Sequence, residues 1–209
     1  MKLIDSVYGE FEIENPLLEE LISCQTVQRL KGISQQGLPE CLYHKKTYSR
    51  YEHSVGVLIL LTKLGADNNE QIAGLLHDIS HTAFSHLIDW VLGDPSKEDH
   101  QDSMFAHILK QSEIPTILNT YGIHADQFYD LEQYSLLEQD APHLCADRID
   151  YTLREMALLK HHTDIAIILN DLTTHEGIIC FKTIKGAEIF AKHYAYFQKH
   201  HWAGIESKA

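Results

Sequence analysis

The sequence predicts a mainly α-helical fold carrying one or two small β-hairpins. Residues from Arg50 to Leu64 are apolar on nearly every side of a helical wheel (Val55, Val57, Leu58, Ile59, Leu60, Leu61, Leu64), which marks a helix buried at the centre of a core. Ile72, Leu75, Leu76 and Ile79 fall at i, i+3, i+4 and i+7, the stripe of a second helix packed on that core. Strand-like patterning is confined to short stretches near the two ends of the chain. At 209 residues the chain is read as a single domain over residues 1–209, with an N-terminal hairpin (2–14), a helical core (50–160) and a C-terminal hairpin and helix (172–202).

Lys2 to Ile13 alternates weakly and turns at Tyr8-Gly9-Glu10, a small hairpin. Asn15-Pro16 supplies an N-cap and a proline at the first helical position, and Leu17, Leu18, Leu21 and Ile22 give the helix that follows its apolar face. A short helix over Thr26 to Lys31 comes next, and Ile33 to Tyr48 reads as loop. Gly65 ends the central helix, and Asp67 to Glu70 has the pattern of a capping box for the helix leading to His77. Further helices are expected over Phe84–Leu92, stopped by Gly93-Asp94-Pro95, over Lys97–Gln111 and over Ile114–Tyr121. Gln127 to Ala141 is expected as two helical pieces broken by Pro142, and His143 to Lys160 as a long helix. Gly177 to Lys182 is a strand, with Thr174-His175-Glu176 as the turn of a hairpin, and Ala187 to Trp202 a closing helix.

The net charge of −13 argues against a nucleic-acid polymer as partner, since such binding needs a basic surface. Four widely spaced cysteines form no CxxC pair and read as reduced thiols of a cytoplasmic protein. The first residues lack the apolar core of a signal peptide, and no apolar stretch is long enough to span a membrane. The apolar face of the closing helix (Ile189, Phe190, Tyr194, Phe197) packs either on the core or on a second subunit, so a homodimer is an expectation.

The chemistry concentrates between His77 and Asp89, where three histidines and two aspartates fall within 13 positions. His77-Asp78 sits at the end of an apolar helix, where ionisable groups are costly unless paired or coordinated. A metal ion is the obvious compensation. His53 lies 13 residues before Ala66 and His77 lies 11 after it. At 1.5 Å per residue both stand roughly 17–20 Å from the turn, so antiparallel packing brings the two imidazoles to one height. Asp78 points to the edge of the same cleft. His81 follows His77 by one helical turn, and His86 and Asp89 share a face. Lone histidines such as His107, His124 and His175 read as surface residues; His100 is balanced between the two readings on spacing alone.

These blocks resemble the HD-domain metal-dependent phosphohydrolases. Arg50-Tyr51-Glu52-His53-Ser54, the run from His77 to His86, and Asp147-Arg148-Ile149-Asp150-Tyr151 look like the branch that contains the deoxynucleoside triphosphate triphosphohydrolases. Asp5 to Gly9 and Gln28 to Gln35 fit the same branch, so the resemblance extends over Lys2 to Glu155. It implies an HD-domain helical bundle with metal ligands His53, His77, Asp78 and Asp147. The divalent ion would be manganese, iron, cobalt, magnesium or zinc. It also implies catalytic or phosphate-contacting roles for His81, His86 with Asp89, and His100. Arg50 and Arg148 would hold phosphates, Gln35 and Tyr151 would lie near the sugar, and Glu155 stands where the branch often has an Asp. The expected substrate is a small phosphorylated molecule, a nucleotide. Lys192, His193, Lys199 and His200 are read either as a phosphate-facing edge or as a solvated helix face. Two alternatives stay open: a di-iron oxygenase using extra histidines for a second metal, and a silent regulatory module that keeps the metal for structure.

Overall fold

In the computed structural model, residues 1–37, 46–88, 91 and 100–202 are described, with the side chains of 86 and 87 left aside. The chain opens with a hairpin of β1 (Lys2–Asp5) and β2 (Gly9–Glu12), paired antiparallel with Leu3 opposite Phe11. Gly9 takes a positive φ of 74°, which the tight turn requires. Helix α1 (Pro16–Ser23) is capped by Asn15, whose side chain accepts from the Leu17 N–H. The expected helix over Thr26–Lys31 divides into α2 (Gln25–Gln28) and a 3₁₀ turn, Arg29–Gly32.

Helix α3 (Arg50–Leu64) is the axis of the fold, buried from His53 through Leu61 as its all-round apolar sequence requires. Each fully buried Leu or Ile there contributes about 1.5–3 kcal/mol over its exposed state. Ser49 and Glu52 form a reciprocal capping box at its start, which the sequence reading missed. Gly65, at φ 79°, ends it.

Helix α4 (Asn68–Leu76) folds back along α3, and Gly74 permits the approach: a Cβ there would lie 2.3 Å from Leu61 Cδ1. Asp67 accepts from the Glu70 N–H, but the expected capping box is only half formed. Glu70 instead turns inward, and its carboxylate accepts from the amides of Leu136 and Leu137 at 2.6 and 3.2 Å.

Only the 3₁₀ turn Ser85–Ile88 is described from the helix expected over Phe84–Leu92; Asp89 and the Gly93-Asp94-Pro95 stop lie outside the described residues. Helices α5 (His100–Gln111) and α6 (Ile114–Thr120) follow. The two helical pieces expected over Gln127–Ala141 are not formed: a 3₁₀ turn, Ala125–Phe128, gives way to a run of turns. Tertiary bonds take over the backbone there, because Glu70 claims the Leu136 and Leu137 amides and their carbonyls accept from Ala146 and Asp147.

The long helix is α7 (Ala146–Leu158). Helix α8 (His162–Asp171) was not expected, although Ile165, Ile168, Leu169 and Leu172 carry the same i, i+3, i+4, i+7 stripe. A second hairpin pairs β3 (Leu172–His175) with β4 (Ile178–Phe181), turning at Glu176-Gly177 with φ of 50° and 76°. Helix α9 (Ile184–Phe197) is capped by Thr183 and runs into a π turn, Gln198–Trp202. Its apolar face packs on the chain's own core: Phe197 is fully buried and Phe190 nearly so, with Ile189 and Tyr194 against them. No helix among the described residues is long and apolar enough to cross a membrane.

Candidate metal centre

Helix α3 carries His53, the end of α4 delivers His77 and Asp78, and the first turn of α7 presents Asp147. The Nε2 atoms of His53 and His77 stand 3.3 Å apart. Asp147 Oδ1 lies 2.7 Å from His53 Nε2 and 3.6 Å from His77 Nε2. Asp78 completes the set, with Oδ1 3.6 Å from His77 Nε2 and Oδ2 3.9 Å from His53 Nε2. Neighbouring ligand atoms around an ion with bonds of about 2.1 Å are separated by roughly 3–3.4 Å, so little movement is needed to close the shell. Two imidazoles and two carboxylates are the donor set of a divalent metal ion and do not select one metal.

Each imidazole is fixed from behind. His77 Nδ1 donates to the Gly74 carbonyl at 2.7 Å, and His53 Nδ1 donates to Asp150 Oδ2 at 2.7 Å. Both rings therefore offer Nε2 to the centre. Asp150 is itself saturated: Tyr8 Oη donates to it at 2.8 Å and Arg154 Nε at 2.7 Å, while Arg154 Nη2 reaches Asp5 at 2.8 Å. This ties the N-terminal hairpin to the centre. It requires a bare helix at Gly56, where a Cβ would lie 1.8 Å from Arg154 Nη2 and 2.2 Å from Asp150 Oδ1. The sequence reading did not assign Asp150. Its signal was the i, i+3 spacing from Asp147, continued to Arg154 at i+4.

Charge is balanced locally. Burial would raise the Asp78 pKa, but Arg50, whose Nη1 lies 3.0 Å from Oδ2, with His77 and His81, holds it well below the carboxylate range. Burial would lower His53, but hydrogen bonds to Asp147 and Asp150 outweigh it and lift the pKa to about 9. Asp147 is correspondingly lowered: its burial is outweighed by hydrogen bonds from His53 and His77. Without a cation, the cluster holds its carboxylates together with protons.

A cavity of about 480 Å³ opens over this floor. Of the residues expected at the site, Gln35, Arg50, His81 and Tyr151 line it together with His77, Asp78 and Asp147. His81 Nε2 contacts Asp78 Oδ1 at 3.1 Å, and Arg50 Nε donates to Ser85 Oγ at 3.2 Å. Four expected residues are not in the cavity lining, and one of them is His53, which is fully buried. Arg148 is turned away, its guanidinium bound to the carbonyls of His143 and Gln139. Glu155 accepts from Gln36 Nε2 at 2.7 Å. His100 opens α5, but its neighbours Gln101 and Asp102 reach the cavity instead. The side chain of His86, and Asp89, lie outside the described residues. The polar face of α9 is mostly solvated, with Lys192, Lys199 and His200 exposed and His193 turned to Asp164.

The rest of the cavity lining is rich in acid, with Asp102, Asp130, Glu132 and Glu138, none of which the sequence reading had placed at the site; Glu138 brings a carboxylate oxygen within 4.8 Å of one of Asp147. Packing around its carboxyl and the charge of Asp147 push Glu138 up to about 7, although the side chain opens to solvent and water screens part of that effect.

The HD domain family model matches residues 50–155, just over half of the chain and the whole ligand set. The chain belongs to the HD domain family. It is similar to an uncharacterized Bacillus subtilis protein, YdhJ, at 44% identity over 93% of this chain and 60% of that one. It is 42% identical to the Cordyceps militaris metal-dependent phosphohydrolase cns2 over 72% of this chain and 44% of the relative. Homo sapiens deoxynucleoside triphosphate triphosphohydrolase SAMHD1 is 33% identical over 59% of this chain and 23% of its own length. The chain thus spans about 60% or less of the length of these relatives. A solved Bacteroides thetaiotaomicron phosphohydrolase shares the HD fold, with a TM-score of 0.71 at 22% identity, over all of this chain and 56% of that one.

Proposed function

We propose that this HD protein is a hydrolase that cleaves a phosphoric ester or anhydride bond of a nucleotide, most simply a (deoxy)nucleoside triphosphate. The observation that carries the reading is the convergence of His53, His77, Asp78 and Asp147 at the floor of an open cavity large enough for a small ligand. A divalent ion held there would acidify a bound water and polarise a phosphoryl oxygen. The names of the Cordyceps and human relatives support phosphate chemistry and a nucleotide respectively.

The remaining work falls to the protein. Arg50 sets positive charge beside Asp78 and lines the cavity, where a phosphate oxygen would approach. His81 would hold a phosphate oxygen or pass it a proton, since it lines the cavity with its Nε2 3.1 Å from Asp78 Oδ1. For His86 the expected role is general acid, with Asp89 setting its proton; the support is the motif. Gln35 and Tyr151 flank the place of the sugar. The acidic lining repels a bare polyphosphate. It suits the cation-complexed nucleotide, and its carboxylates can accept from sugar hydroxyls and base amino groups.

Product analysis tests the reading. The protein is stripped, reloaded separately with manganese, iron, cobalt and magnesium, and offered dNTPs, NTPs and nucleoside monophosphates. Metal-dependent release of phosphate or triphosphate, lost in Asp147→Ala, is expected. Triphosphate from dNTPs alone narrows the reading to triphosphohydrolase activity, and orthophosphate widens it to a nucleotide phosphatase. No product with any metal, in protein that binds metal, would exclude it.

A further inference from the structure

A second group of ligating side chains lies between α8 and α9, away from the HD centre. His161, Asp164 and His193 bring one ligand atom each to within 4.8 Å of one another. His193 Nε2 and Asp164 Oδ2 are 2.8 Å apart, and the rings of His161 and His193 are 4.7 Å centroid to centroid.

The backbone builds this arrangement deliberately at one point. Helix α7 ends at Leu158, Lys160 takes a φ of 63°, and the His161 N–H closes on the Met156 carbonyl at 2.9 Å. That turn fixes His161 at the start of α8, and the i, i+3 spacing sets Asp164 on the same face. His193 comes across from α9.

The two helices run antiparallel and are already joined at their other end. There Asp171 Oδ2 accepts from both the N–H and the hydroxyl of Thr183, at 3.1 and 3.0 Å. Gly186 is packed so closely that a Cβ would lie 2.0 Å from that carboxylate. The histidine and aspartate group occupies the open end of the same pair.

A hydrogen bond between His193 and Asp164 accounts for two of the three residues. It does not call for a second imidazole beside them. Two imidazoles and one carboxylate are, in contrast, a common three-ligand set for zinc, with water in the fourth place. Ligand atoms of a tetrahedral zinc site lie about 3.3 Å apart, so closing this one asks for small side-chain movements.

We propose that His161, Asp164 and His193 form a second transition-metal site, of the zinc, cobalt or nickel class, that clamps α8 to α9. The consequence reaches the cavity through α9. The ring of Tyr194, next in sequence to His193, meets that of Trp202 at 5.3 Å, and Trp202 meets the Tyr151 ring edge-on at 5.0 Å. Tyr151 lines the cavity over the HD centre. Metal at the second site thus steadies the helix on which one cavity wall rests.

The test is cobalt stoichiometry on the full chain, by elemental analysis and by the visible spectrum of bound Co²⁺, with Zn²⁺ alone as competitor. Stripped wild-type protein should take up two ions. His161→Ala, which changes an exposed side chain, and His193→Gln should each take up one. The double variant His53→Ala/His77→Ala should keep one, displaced by zinc. Affinity at the second site should fall in His161→Ala by more than the roughly 10- to 100-fold that loss of an outer-sphere partner costs. Hydrogen exchange in α9 should slow on adding zinc to the double variant, and not when His161→Ala is added to it. One ion in wild type, or a second ion that survives both His161→Ala and His193→Gln, would overturn the proposal. Either result leaves the hydrolase reading untouched, because that reading depends on the first ion.

Discussion

In one part of the site, His53, His77, Asp78 and Asp147 hang from α3, α4 and α7, and the first three are each held by a partner outside the set. Elsewhere in the cavity lining, Asp130 and Glu132 stand on a run of turns and are open to solvent. The first group stakes buried charge on fixed geometry, so small changes there are expensive. The second keeps its charges in water, where each is worth little to stability. We propose a division of labour: the first group fixes the ion, and the second is free to set what is recognised.

The largest expected effect is the loss of a ligand. Asp147→Ala and His53→Ala should each lose the ion of the HD centre on gel filtration, keeping only the ion of the second site, and bring turnover to background. Persistence of wild-type metal content in both would refute the assignment of the floor.

Gly56→Ala probes the same group without touching a ligand. Helix propensity favours alanine by about 1 kcal/mol. The new Cβ nevertheless falls on Arg154 and Asp150, and breaking that buried pair costs about 3–5 kcal/mol. A net destabilisation of about 2–4 kcal/mol should appear in the urea midpoint. An unchanged midpoint would mean that α3 and α7 are less tightly joined.

Asp150→Asn keeps the shape and removes the charge behind His53. Metal affinity should drop about 10- to 100-fold in titration calorimetry. A drop confined to Glu132→Gln would reverse the roles assigned to the two groups.

The pH dependence of the metal-free protein sharpens the contrast. His53 titrates near 9 when folded, above its ordinary 6.5, so its stabilisation is whole below about pH 6.5 and is lost as pH rises through 9. Asp78 is shifted downward, so its contribution is present above its ordinary 3.8 and is lost as pH falls through the lowered value. Thermal melts in chelator should therefore decline from pH 6.5 toward 9. Metal-loaded protein should lose this decline, because the ion takes the place of the His53 proton. The smallest effect is expected from Glu132→Gln, a change of a few-fold in KM with kcat and melting temperature preserved.

The elements with strong local patterns were legible. Helix α3 follows from its apolar run, α1 from Asn15-Pro16, and the convergence of His53 with His77 from their similar distances, 13 and 11 residues, to the turn at Ala66. Asp147 came from the resemblance, and its Oδ1 lies 2.7 Å from His53 Nε2 and 3.6 Å from His77 Nε2. The segment from Gln127 to Ala141 was misread, because its amides answer to Glu70, which lies far away in sequence. Helix α8 was overlooked despite a stripe as regular as that of α4.

The sequence by itself determined which residue types could ligate a metal and which helix faces turn inward. Periodicity and capping are local, and a helix of known length carries its side chains to known heights. Only the tertiary structure decided that Asp150 stands behind His53, that Arg148 turns to the Gln139 and His143 carbonyls, and that Asp130, Glu132 and Glu138 join the cavity lining. Those facts depend on which surfaces meet when the helices pack. A pattern along one helix records that a face is buried, but not the partner that buries it.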